Sequence, residues 1–106
     1  MYENATTIQF QSGAVDEALL ILRAYIVPVL REQAGLLSLC LIPDREANKI
    51  TVISLWTSPA HARAVEAVCA YRKEVARLDP LLMNKPVHPV HAFQTAQHVD
   101  QPFGLN

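Results

Sequence analysis

Apolar side chains recur along this chain with three different periods, and each period predicts an element. Residues 6–11, Thr-Thr-Ile-Gln-Phe-Gln, alternate with period two and predict a short half-buried strand. Ser12-Gly13 ends it, and Asp16 and Glu17 then supply the negative charge that a first helical turn favours. From residue 14 to 34, Val15, Leu19, Leu22, Ile26 and Leu30 repeat at helical spacing, with Arg31 in the last turn and Gly35 as the stop. Pro28 removes one backbone hydrogen bond inside this helix and predicts a kink near Ala24 and Tyr25. Leu20 and Val27 fall on the face that Arg23 marks as outward, so the apolar stripe is wider than one sheet contact needs.

Residues 36–42 are almost wholly apolar and residues 50–56 nearly so. The polar turn at 43–49 between them predicts an antiparallel hairpin. With regular alternation, Leu37, Leu39 and Leu41 point one way and Leu36, Cys40 and Ile42 the other, so both faces of that strand need cover. Two helices cover one face only. A chain of 106 residues lacks material for the second, which points to a second copy.

Ser58-Pro59 is a strong helix start, with Ser58 as N-cap and Pro59 in the first turn. The helix runs through Val65, Val68 and Val75 to Leu78, with a break expected near residues 69–71, and Asp79-Pro80 stops it. Leu81-Leu82-Met83 is a short apolar connector. Residues 90–97 predict a last strand, with His91 and Phe93 on one face, and the domain is expected to span 1–97, with 98–106 as a tail. The order strand, helix, strand, strand, helix, strand is that of an α+β, ferredoxin-like split βαβ sandwich: a four-stranded antiparallel sheet with both helices on one side.

Composition narrows the function classes. Nine basic and ten acidic residues give a net charge of −1, which leaves no electrostatic footprint for nucleic acid or an anionic membrane. The longest uncharged runs, residues 50–62 and 86–99, fall short of the ~18 residues that cross a bilayer. The N-terminus shows no signal-peptide pattern. Cys40 and Cys69 sit in apolar neighbourhoods without a CxxC motif, and are expected to be buried, reduced thiols of a cytoplasmic protein. His88-x-x-His91 straddles Pro89 and completes no tetrahedral ligand set, so no metal is expected. GxSxG, GxxxxGK[ST] and GxGxxG are all absent.

The long first helix closing on Ala34-Gly35-Leu36-Leu37, the hairpin, and Trp56-Thr57-Ser58-Pro59-Ala60 opening the second helix resemble the antibiotic biosynthesis monooxygenase (ABM)-like family of the dimeric α+β barrel superfamily. Leu81-Leu82 leading into a strand near Val90 completes the likeness, which covers residues 5–97. The resemblance implies a homodimer through the open sheet face and a dry cleft for a small apolar or aromatic molecule. It further implies an oxidoreductase that oxygenates quinol-type substrates with no cofactor, the ionised substrate passing an electron to oxygen. A non-catalytic ligand-binding or structural dimer of the same fold is the alternative. One branch of the family degrades haem, using an Asn on the first strand and a Trp and a His on the second helix. The last two align near Val65 and Val75, and Asn4 reads as lying ahead of the strand, so that activity is disfavoured.

Candidate site residues carry two readings each. Trp56 is a core anchor or a wall of the cleft. His61, at the start of the second helix, is a capping histidine or a neutral base kept so by the helix dipole. Arg72 snorkels outward or binds an anionic oxygen. Tyr71 and Tyr25 fill core or hydrogen-bond a quinol. His91 is expected to face the cleft beside Phe93. In the oxygenase reading Arg72 or Tyr71 binds a phenolate while His61 or His91 takes its proton; Trp56, Tyr25 and Phe93 contact the ring.

Overall fold

The computed structural model describes residues 1–83 and the strand Gln94–Gln97. Three antiparallel strands form the body of the sheet: β1 (Tyr2–Gln9), β2 (Leu36–Asp44) and β3 (Lys49–Trp56), with β3 in the middle. The segment Gln94–Gln97 pairs antiparallel with the free side of β1, Thr6 opposite Thr95. The helical segments lie over one face of this α+β fold.

β1 begins at Tyr2, four residues earlier than the alternation predicts. Its inward positions are Tyr2, Asn4, Thr6 and Ile8, paired with Trp56, Ser54, Val52 and Ile50 of β3. Asn4 and Thr6 hide the period because they face a cavity, not close-packed core. Asn4 therefore lies inside the strand, which corrects its placement ahead of it.

The first helical run, residues 15–31, has three parts: α1 (Val15–Ile21), a π-helical turn Leu22–Ile26, and α2 (Val27–Arg31). Pro28 has no N–H to give the Ala24 carbonyl, and the wider π turn absorbs the missing bond just upstream. The extra residue in that turn shifts the helical phase. Val27, expected outward with Leu20, faces the cavity, while Leu20 stays 68% exposed. The run ends at Arg31, three residues short of the expected stop. Gly35 then takes a φ of +89° in the turn into β2.

β2 carries a bulge between Leu36 and Ser38. One extra residue in a strand reverses the parity of everything on one side of it. Leu36, Leu39 and Leu41 accordingly share the inner face and pack on the core, and Leu37, the extra residue, is exposed. Ser38, Cys40 and Ile42 take the outer face. This corrects the grouping of Leu37 with Leu39 and Leu41, and it corrects the burial of Cys40. Cys40 and Cys69 are both free and both exposed.

The second helical run is more broken than expected. α3 (Pro59–Ala64) passes into a 3₁₀ turn, Val65–Ala67, and Val68 is extended at φ −79° and ψ 120°. α4 (Cys69–Val75) follows, then a 3₁₀ stretch Ala76–Leu81. Ser58 caps α3 as predicted, its Oγ accepting from the His61 N–H at 3.3 Å. The fully buried side chains Phe10, Ile50, Leu78, Leu82 and Val75 form the centre of the core. Among the described residues no helix is long and apolar enough to cross a membrane.

Candidate functional site

Between the inner sheet face and the helices lies a partly enclosed cavity of about 110 Å³. Three devices of the chain open it. The π turn contributes Leu22 and Ile26 and turns Val27 inward. The 3₁₀ break contributes Val65 and Glu66, and α4 with its extension adds Tyr71, Val75 and Leu78. The sheet supplies Asn4, Thr6, Ile8, Leu41, Val52, Ser54 and Trp56 as the floor. A dry engineered cavity of ~150 Å³ takes benzene. This volume is thus on the scale of one aromatic ring, with room for substituents through the mouth.

The floor has a polar end. Trp56 Nε1–H donates to Ser54 Oγ at 2.9 Å, and the Ser54 hydroxyl donates to the Asn4 carbonyl oxygen at 3.3 Å. The indole donor is thereby consumed inside the sheet, and Trp56 presents an apolar ring to the cavity while being only 2% exposed. The Asn4 side chain is different. Its Oδ1 is buried and has no hydrogen-bond partner among the described residues. An unpartnered buried acceptor costs about 1–3 kcal/mol.

Tyr71 lines the same cavity from α4. Burial, reinforced by the Glu66 carboxylate, pushes its phenol up to about 12. Its hydroxyl therefore stays protonated at neutral pH and can give or accept a hydrogen bond, but it is no base. Glu66 stands at the exposed rim of the cavity. It is the one carboxylate among the described lining residues.

The polar candidates named from sequence do not converge. Trp56 and Tyr71 line the cavity; His61, Arg72 and Tyr25 do not. The His61 imidazole Nδ1 lies 2.8 Å from Ser58 Oγ and 3.1 Å from Thr57 Oγ1, and the ring packs against Gly35. Its capping reading accounts for every one of these contacts. Arg72 is exposed on α4. Tyr25 is 42% exposed, with the Arg77 guanidinium 3.8 Å from its ring centre. The π turn has rotated it to the helix surface. His91 and Phe93 lie outside the described residues, as do His88 and the 98–106 tail. Thr6, Ser54 and Glu66 were not among the sequence candidates, and Asn4 was weighed only against haem chemistry. Asn4, Thr6 and Ser54 sit at alternate, inward places of their strands, which is the signal that marks them; Glu66, in a 3₁₀ turn, carries none.

Positions 65 and 75, aligned with the Trp and His of the haem-degrading branch, both face the cavity, and both are Val. Valine offers a haem iron no ligand. Among the described residues no three His, Cys, Asp or Glu side chains gather in a form that could hold a metal ion.

The class these features define is a small α+β fold enclosing a ring-sized apolar cavity whose lining includes an amide, Asn4, and a phenol, Tyr71. The profile of the antibiotic biosynthesis monooxygenase family matches residues 1–76, and the chain belongs to that family. Solved structures share the fold at low identity. An antibiotic biosynthesis monooxygenase superposes with a TM-score of 0.73 at 14% identity, covering 96% of this chain and 100% of the other. A protein from Mycobacterium tuberculosis gives 0.72 at 14%, covering 98% of both chains. A NIPSNAP domain protein from Burkholderia xenovorans gives 0.69 at 16%, covering 100% of both. No curated protein matches the chain.

Proposed function

We propose that the protein is a cofactor-independent monooxygenase acting on a small, electron-rich aromatic such as a quinol, built as a ferredoxin-like four-stranded sandwich and working as a dimeric α+β barrel. The observation that carries this reading is the buried, unpartnered Asn4 Oδ1 at the polar end of an apolar, ring-sized cavity that also holds Tyr71. The leucine and valine walls take the ring and exclude water. The Asn4 amide and the Tyr71 hydroxyl hold a ring hydroxyl by hydrogen bonds. The hydroxyl binds in its neutral form and releases its proton to water at the open mouth. The ring anion, raised in energy by desolvation, passes one electron to oxygen. Recombination of the two radicals places one oxygen atom on the ring while the other leaves as water. In this reading Tyr71 keeps the substrate-oxygen role, Asn4 joins it in place of Arg72, Trp56 is the ring's floor, and His61 serves the fold.

The second copy is supported by the outer sheet face. Ile42 is 45% exposed there, and Ile53 and Leu55 are only partly covered. Binding without turnover is the second reading, favoured by the lack of an imidazole among the described lining residues. Oxygen uptake with a panel of hydroquinones and naphthols separates the two. Uptake that needs the protein and falls at least tenfold in Asn4→Ala and Tyr71→Phe supports the enzyme. Saturable quenching of Trp56 with no uptake across the panel supports a binding protein.

A further inference from the structure

Glu66 has no role in the fold that its neighbours would explain. It makes no ion pair among the described residues, where the pairs are Arg45–Asp16 and Arg77–Glu74. It sits in the 3₁₀ turn Val65–Ala67, placed over the cavity mouth by the extended Val68 that follows. Its buried neighbour Val65 lines the apolar wall, while Glu66 itself lines the rim. No Lys, Arg or His lines the cavity among the described residues, so this carboxylate is the one charged side chain on its described wall. Its charge adds to burial, the larger cause, in holding the Tyr71 phenol protonated.

A ring hydroxyl bound at Asn4 and Tyr71 meets the same field. As a neutral O–H it can donate a hydrogen bond toward the carboxylate or to Asn4 Oδ1, which can only accept. As an anion it faces like charge at the cavity rim, and the Asn4 oxygen loses its donor. We propose that Glu66 is the specificity-determining residue of the cavity, which admits hydroxylated aromatic ligands in their neutral form and discriminates against their anions. This rests on the reading of the cavity as a hydroxyl-binding ring site.

The test uses 4-nitrophenol, whose hydroxyl titrates near neutral pH and whose anion alone is yellow. Its titration is followed by absorbance, free and at saturating protein, with fluorescence of Trp56, the chain's one tryptophan, as a separate measure of binding. In the wild type the bound probe should ionise at higher pH than the free probe. Desolvation alone contributes to that shift, so the variants carry the test. Glu66→Gln should weaken the preference for the neutral form roughly tenfold, about one pH unit on the titration curve, and Glu66→Lys should weaken it further. Both change an exposed rim residue and keep the fold, which far-ultraviolet circular dichroism checks. An identical shift in wild type and both variants overturns the role of Glu66 while leaving the cavity as the binding site. No change in either the probe or Trp56 overturns the ring-site reading and this inference together.

Discussion

Replacing Asn4 by leucine sets stability against function at one atom. Asn4 Oδ1 is buried and unpartnered, and asparagine is also a poor strand residue. Leucine removes the orphaned acceptor, and its extra volume enters the 110 Å³ cavity, not close-packed core. The Ser54 bond is to the Asn4 main-chain oxygen and survives the change. Relief of the desolvation penalty is worth about 1–3 kcal/mol. At about 4–8 °C per kcal/mol for a domain of this size, Tm should rise by at least about 4 °C. Binding should move the other way, because the ring hydroxyl loses its partner while the cavity shrinks. The assay is thermal unfolding by circular dichroism alongside phenol titration of Trp56 fluorescence. Asn4→Ala serves as a control that removes the amide without filling the space. A loss of about 1 kcal/mol or more in Asn4→Leu would refute the reasoning, since it would mean that the folded protein satisfies the amide by itself.

Four further outcomes are expected. Tyr71 keeps its proton in the fold up to about pH 12, against an ordinary value of 10.0. The unfolded chain therefore loses this proton first, and stability should fall as pH rises from 10 towards 12; Tyr71→Phe should flatten that slope in denaturant titrations. Asp79 Oδ1 is buried without a partner among the described residues, and burial raises its carboxyl above the usual range. The fold thus favours the protonated acid, so stability should fall as pH rises through the carboxylate range, and Asp79→Asn should raise the denaturation midpoint at neutral pH. Gly35→Ala puts a methyl 2.5 Å from His61 Cγ and 2.7 Å from its Cβ, at a φ of +89°. Positive-φ strain of about 1–2 kcal/mol and overpacking of about 1–3 kcal/mol should destabilise it, and His61→Ala should rescue only part, because the Cβ contact remains. Ile42→Lys on the outer sheet face should shift a dimer to monomer in sedimentation, and a wild type that is a stable monomer at micromolar concentration would count against the barrel.

Element order, the hairpin, the Ser58 cap and the Pro28 irregularity were all legible in the sequence, because each is a local matter. Period, capping chemistry and proline's missing donor act within one or two turns of chain. Trp56 and Tyr71 were legible as cavity candidates for a related reason: large aromatic side chains at an element junction or on an apolar stripe have few places to go. Which way side chains face beyond an irregularity was not legible. The bulge at Leu37 sent Cys40 outward and Leu36 inward, and the π turn sent Val27 inward and Tyr25 outward. One inserted residue changes the facing of all that follow, and only pairing with β3 and packing on the sheet decide where it goes. The polar end of the cavity was hidden for the same kind of reason. Asn4, Ser54 and the pair Glu66 and Tyr71 come from three separate stretches of chain: β1, β3 and the second helical run. In sequence Asn4 looks like a strand's ragged beginning and Glu66 like a solvated helix face. Tertiary structure alone makes them neighbours, because the charge and solvation of each depend on what the other elements bring to it.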